Sequence, residues 1–112
     1  MQNTLADATS ANLAQETELI AAALDEQQEL IPFLRSLDRE DLRITLINKD
    51  GSVAYDNEAS PSTLPNHGDR PEVIEAFESG SGSAERASST LDEIMLYRAV
   101  ALDNGQVVRL AQ

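Results

Sequence analysis

Four basic side chains are the residues in this sequence best suited to chemistry. Guanidinium groups bind carboxylates and phosphates through paired hydrogen bonds, so a cluster of such residues predicts a pocket for a small anion. The alternative is structural, with Arg70 paired to a nearby acid such as Asp56 or Glu72 and His67 fixing its loop by hydrogen bonds. The candidate ligand-binding residues are His67, Arg70, Arg86 and Arg98.

Other kinds of chemistry find little support in the sequence. There is no cysteine and only one histidine, which removes thiolate nucleophiles, disulfides and histidine pairs at metal-ligand spacing. Asp50-Gly51 belongs to a turn, because the alternating acids and closing glutamate of a calcium loop are missing. We therefore expect no catalytic residue, no metal, no tightly bound cofactor and no enzymatic role for this chain.

Charge and length restrict the partners. The 112 residues hold 20 acidic and eight basic side chains, for a net charge of -12. This balance argues against binding to nucleic acid and against docking on an anionic lipid surface. With 41% hydrophobic residues the chain is not an acidic disordered tail. The length predicts one domain covering residues 1–112.

The amino-terminal segment, residues 1–40, predicts a long helix that runs from about residue 3 to 37. Two apolar lines run along it, and Pro32 predicts a break near residues 28–32. One line would cover the chain's own sheet, and the other would contact a second copy, so we expect a homodimer through this helix. The predicted dimer-interface residues are Leu13, Ile20, Leu24 and Ile31.

From residue 41 to 112 the pattern predicts a sheet interrupted by one short helix. Strands are expected at 42–46, 52–56, 83–90, 94–102 and 106–111, because alternation and tight-turn signals such as Asn104-Gly105 mark them. The helix is expected near 70–79, with Asp69 as its cap and Glu72 completing a capping box. Hairpin connections make the sheet mainly antiparallel, so the class is α+β.

A succession of short motifs carries a family resemblance over roughly residues 40–111. The motifs are the stretch from Leu42 to Val53, Tyr55-Asp56, Asn66-His67-x-x-Arg70-Pro71-Glu72, Gly80, Arg86, Ser88 with Thr90, and Met95 to Val100. The segment resembles the extracytoplasmic PAS-like (PDC/Cache-type) sensor domain of Gram-positive membrane histidine kinases of the phosphate-regulon sensor type. Arg98 departs from this pattern, which has an aliphatic residue there.

The resemblance implies a five-stranded antiparallel sheet packed on a long amino-terminal helix. It also implies the outer domain of a two-component sensor histidine kinase at the cell membrane, with a membrane helix on each side and a response regulator as partner. The signal would cross the membrane through the amino-terminal helix and the carboxy-terminal strand. The alternative is a PAS-like dimerisation or interaction module of a chemoreceptor, a cyclase or a cytosolic protein, with no ligand. Besides a second copy of the chain, the candidate partners are a small anion and a protein.

Overall fold

The computed structural model describes residues 4–87 and 94–112, which form one five-stranded antiparallel sheet with helices on both faces. The sheet order is β2-β1-β5-β4-β3. This confirms the predicted α+β, PAS-like fold. The elements are α1 (Thr4–Asp25), α2 (Leu30–Leu37), β1 (Arg43–Ile47), β2 (Val53–Asp56), a 3-10 turn (Pro61–Thr63), α3 (Pro71–Ser79), β3 (Ser81–Ala87), β4 (Ile94–Ala101) and β5 (Val107–Ala111).

The amino-terminal helix is broken, as Pro32 predicts, at residues 26–29. Pro32 is the third residue of α2. The first four amide groups of a helix have no partner within it, so a proline there costs little, whereas it would interrupt a continuous helix. The α2 helix ends at Leu37, and the residue that caps this end is Asp38, which has a positive φ of 47°. The chain is thereby turned into β1.

Alternation in the strands divides the sheet into two faces. Ile44 and Leu46 of β1, with Val108 and Leu110 of β5, lie in the main core under α1 and α2. The residues between them point to the opposite face, where Ile47 and Val107 form a smaller cluster with residues of α3. The helices α1 and α2 therefore cover one face, and α3 covers only part of the other.

Close packing of α3 on the sheet depends on a glycine. A Cβ atom at Gly82 in β3 would lie 2.1 Å from the backbone oxygen of Glu72 in α3. The neighbouring residue across β4 is Ala99, which is fully buried. Small side chains in this row bring the first turn of α3 down onto the sheet, and this places Glu72 over the strands.

The predicted strands agree with the observed strands to within one or two residues where the structure describes them. Residues 88–90 of the predicted third strand, including Ser88 and Thr90 of the resemblance, lie outside the described residues. Among the described helices, none has the length and apolar character that crossing a membrane requires.

Candidate functional site

A shallow groove of about 470 Å³ lies on the sheet face that α1 and α2 leave uncovered. Alternation along β1 places Arg43 and Thr45 on this face, because Ile44 between them belongs to the main core. Four guanidinium groups and one imidazole therefore meet in a single groove. Its lining residues are Arg43, Leu64, Pro65, His67, Arg70, Arg86, Tyr97 and Arg109.

Ionic and hydrogen-bonding groups cross the floor of the groove from β2 to β5. The buried carboxylate of Asp56 accepts hydrogen bonds from Arg43 Nε at 3.0 Å and from Thr45 Oγ1 at 2.8 Å. Thr45 Oγ1 in turn accepts a bond from Arg109 Nη2 at 3.3 Å. In the strand register Asp56 pairs with Thr45 and Thr45 pairs with Arg109, so these side chains form one row.

Glu72 continues this network to the far edge of the sheet. Its carboxylate is fully buried and accepts two bonds from Arg86, at 2.7 and 2.9 Å, and one from Arg109 at 3.3 Å. A paired guanidinium–carboxylate contact of this kind fixes the orientation of both groups. One acid on α3 therefore holds arginines from β3 and β5.

Tyr97 of β4 lies between these two arginines. The Cζ atom of Arg86 is 3.8 Å from the centroid of the tyrosine ring, and that of Arg109 is 5.1 Å away. Both are within the range of cation–π attraction. Since Asp56, Arg43, Arg109, Tyr97 and Arg86 come from β2, β1, β5, β4 and β3, the network touches every strand.

A pinned loop brings His67 to the groove. The His67 amide donates to the Gly51 carbonyl at 2.8 Å, and its Nδ1 contacts the Pro65 carbonyl at 2.9 Å. A carbonyl only accepts, so Nδ1 carries the proton. Gly51 has a φ of 88°, and a Cβ there would lie 2.3 Å from Asn66 Oδ1, so this contact between hairpin and loop requires glycine.

The pKa shifts agree with a positive groove. Burial lowers the pKa of His67, and the charges of Arg109 and Arg70 lower it further. Burial alone would raise the pKa of Glu72, but the bonds from Arg86 and the charges of Arg86 and Arg109 outweigh it, so the pKa lies below its ordinary value. Burial also lowers the pKa of Arg109, against the opposing effect of Glu72.

Three of the four residues predicted for ligand binding, His67, Arg70 and Arg86, line the groove. Arg98 does not, because it pairs in register with Leu110 and so shares the face covered by α1. Arg43 and Arg109 also line the groove, and neither was predicted from the sequence. Alternation in β1 could have placed Arg43 opposite the apolar residues, but the place of Arg109 beside Thr45 depends on a register that spans most of the chain.

The predicted capping box is wrong. The residue that caps α3 is Arg70, with no side-chain cap bond, and Asp69 instead accepts a bond from Arg70 Nη1 at 2.8 Å. Glu72 is turned away from the helix start because its carboxylate pairs with Arg86 on the sheet. Arg70 is therefore paired with a neighbouring acid, but that acid is Asp69 and neither Asp56 nor Glu72.

Two of the predicted dimer-interface residues are misplaced. Leu13 and Leu24 are each 1% exposed within a single chain, because they pack into the main core. Ile20 and Ile31 are half-buried and pack against the same core. Among the α1 residues whose burial the structure describes, the large apolar side chain that is exposed is Leu19, at 62%. The line chosen for a partner is therefore the line that covers the chain's own sheet.

No protein-family model and no curated protein matches the chain. Among solved structures, it is similar to the crystal structure of the Bacillus subtilis YkuI protein, which has an EAL domain and is in complex with its substrate c-di-GMP and calcium. The TM-score is 0.63 over 92% of this chain, at 13% identity. The match covers 31% of the YkuI chain, so this chain spans less than a third of that protein. At this identity the likeness shows the fold alone.

This comparison corrects one expectation. A similar fold occurs in a protein that has an EAL domain and is in complex with a substrate. The expectation that the chain has no enzymatic role is contradicted by that finding. That expectation was based on the absence of catalytic motifs from the sequence of this chain.

Proposed function

We propose that this chain is the sensor domain of a larger signalling protein, and that a change in the groove is passed to an output module through α1 and β5. The observation that carries this proposal is the position of Arg109. Its guanidinium group contacts Glu72 and Thr45 in the groove, while its backbone belongs to the last strand of the domain.

The route to α1 follows from the packing of the sheet. The helix α1 packs on β4 and β5, on the face opposite the groove. A shift of β5 is felt by α1 because packed interiors transmit displacement rather than absorb it. A stimulus drives such a change only to the extent that it binds the two arrangements unequally.

The resemblance of residues 40–111 supports a two-component sensor histidine kinase as the protein that this domain serves. In that setting the domain lies outside the cell membrane and pairs with a second copy through α1, while the full-length protein is paired with a response regulator. The YkuI likeness favours a second candidate, a protein with an EAL domain that acts on c-di-GMP. In the kinase and in the EAL candidate alike, this domain is the sensor, and the two candidates differ in the output module.

The test uses the intact protein in membranes. Autophosphorylation from ATP would support the kinase output, and hydrolysis of c-di-GMP would support the EAL output. Glu72→Gln, which disturbs the groove network, should change whichever output is present, whereas Arg35→Gln on the exposed face of α2 should not. An output that is unaltered by Glu72→Gln in folded protein would contradict transmission from the groove.

A further inference from the structure

We infer that the groove binds a small anion with one or two charges, carried on carboxylate or phosphate oxygens, and that Arg109 is its buried anchor. This inference deepens the proposed sensor role, since it names the class of stimulus. Nothing in the resemblance assigns Arg109 or Arg43 to a ligand, and both come from the geometry of the sheet.

The first observation is an unsatisfied donor. The side chain of Arg109 is 5% exposed, and among the described residues its buried Nε has no hydrogen-bond acceptor. Leaving a buried donor of a charged group unpaired is costly, so such groups nearly always have a partner. The polar side chains that line the groove beside it are mainly donors, so an acceptor for this nitrogen has to come from outside the described residues, as an oxygen of a bound ligand would.

The second observation is an excess of positive charge. Arg43, Arg86 and Arg109 share two buried carboxylates, those of Asp56 and Glu72. Among the described residues, three cations therefore face two buried anions, and the third acid nearby, Glu58, lies 4.0 Å from Arg43 with a half-exposed carboxylate whose charge water screens. Arg70 adds another positive charge at the rim, because its partner Asp69 has a side chain that is 79% exposed to water and its charge is therefore screened.

This local excess occurs in a chain with a net charge of -12. The surrounding field repels anions at long range, so binding depends on direct contacts with the guanidinium groups. Such contacts select planar or tetrahedral oxyanions over halide ions, because a guanidinium group matches two oxygens at once. The groove is also too shallow to enclose a large apolar ligand, which favours a small and strongly polar one.

The experiment is an NMR titration of the isolated chain. Arginine Nε–Hε signals are followed while sodium orthophosphate, sodium succinate or sodium chloride is added at matched ionic strength. We expect the Arg109 signal to shift and saturate with phosphate or succinate, and not with chloride. The oxyanion that saturates the Arg109 shift at the lower concentration shows whether the site prefers a phosphate or a dicarboxylate. Absence of a saturable shift with either oxyanion at millimolar concentration overturns the inference.

Matched variants separate the groove from the rest of the sheet. Arg70→Gln removes one charge at the groove rim and should weaken binding by about tenfold or more. Arg98→Gln removes the same charge from the opposite face and should leave the affinity unchanged. Equal weakening by the two variants would mean that only net charge matters, and would contradict a built site.

The same spectra distinguish this inference from the proposed function. Saturable shifts at Arg109 with unshifted backbone amides in α1 would support the anion site and contradict transmission to α1. A groove that binds neither oxyanion would overturn the anion site, while the proposed sensor role would still stand with another input.

Discussion

Glu72 and Arg86 form a two-point ion pair that joins the first turn of α3 to the edge strand β3. The two contacts measure 2.7 and 2.9 Å, and the carboxylate is fully buried. Burial of an acid is unfavourable unless its charge is matched, and here Arg86 and Arg109 supply the match. The pair fixes the orientation of the Arg86 guanidinium group in the groove, and it also holds α3 on the sheet.

Replacing Glu72 by glutamine should destabilise the fold strongly. Glu72→Gln keeps the shape of the side chain but leaves two arginines without a counter-charge, and removal of one partner of a buried pair costs about 3–5 kcal/mol. Glu58→Gln is the control, since Glu58 is exposed and lies 4.0 Å from Arg43, where a pair contributes at most about 1 kcal/mol. Urea unfolding measures both, and equal midpoints for the two variants would contradict the central role of Glu72.

Stability should fall in acid through the same carboxylates. Glu72 and Asp56 have folded-state pKa values below their ordinary values of 4.5 and 3.8, so the unfolded chain takes up protons first as the pH falls. Their contribution is complete above the ordinary values and is lost as the pH falls through the lowered ones. The free energy of unfolding, measured from pH 7 to pH 3, should therefore decline less steeply in Glu72→Gln. If the free energy of unfolding falls with pH as steeply in Glu72→Gln as in the wild type, Glu72 does not contribute to the acid sensitivity.

Gly82 tests whether α3 must lie this close to the sheet. Gly82→Ala places a methyl group 2.1 Å from a backbone oxygen of α3, and the backbone cannot move aside cheaply. Forced overpacking of this kind costs about 1–3 kcal/mol. Ser83→Ala, at the next, exposed position of β3, should change stability by less than about 0.5 kcal/mol. If Gly82→Ala is as stable as Ser83→Ala, the contact between α3 and β3 is looser than described.

Asp69 and Asp56 should behave very differently although both are aspartates near loops. Asp69 makes one contact with its neighbour and caps nothing, so Asp69→Ala should alter stability by less than about 0.5 kcal/mol. Asp56 accepts bonds from Arg43, Thr45 and the amides of Glu58 and Ala59. Asp56→Ala leaves those donors unpaired and should cost about 3 kcal/mol or more. If Asp69→Ala instead lowers the free energy of unfolding by about 1 kcal/mol, Asp69 caps α3 after all.

The sequence was informative where a signal is local. Alternation along Arg43 to Ile47 identified a strand, and the turn at Asn48 to Gly51 identified its return. Pro32 indicated a break in the helix, because a missing amide acts within a few residues. Such features depend on neighbours in the chain and need no knowledge of tertiary contacts.

The site was less predictable because its partners are distant in sequence. Glu72 suits a capping box by spacing, but pairing with Arg86 and Arg109 overrides that use. Arg98 and Arg109 are both strand arginines, and only the register between β4 and β5 assigns one to the core side and the other to the groove. A shift of one residue reverses the face of every side chain, so pattern alone could not choose between them.

The two faces of α1 should respond differently to mutation. Leu24 is 1% exposed and Leu19 is 62% exposed, although both belong to the same helix. Leu24→Ala should therefore cost about 2–5 kcal/mol, the range for a truncated core leucine. Leu19→Ala should change the free energy of unfolding of the monomer by less than about 0.5 kcal/mol.

If two copies pair through α1, position 19 should lie at the contact and position 24 should not. In the intact protein in membranes, Leu19→Cys should then cross-link two copies under mild oxidation, because attachment to the same membrane raises the effective concentration. Glu58→Cys, on the loop after β2, is the control for random collision and should cross-link far less. Cross-linking no greater in Leu19→Cys than in Glu58→Cys would contradict a helix-to-helix dimer. Preferential cross-linking in Leu24→Cys would instead mean that α1 leaves its own sheet to meet a partner.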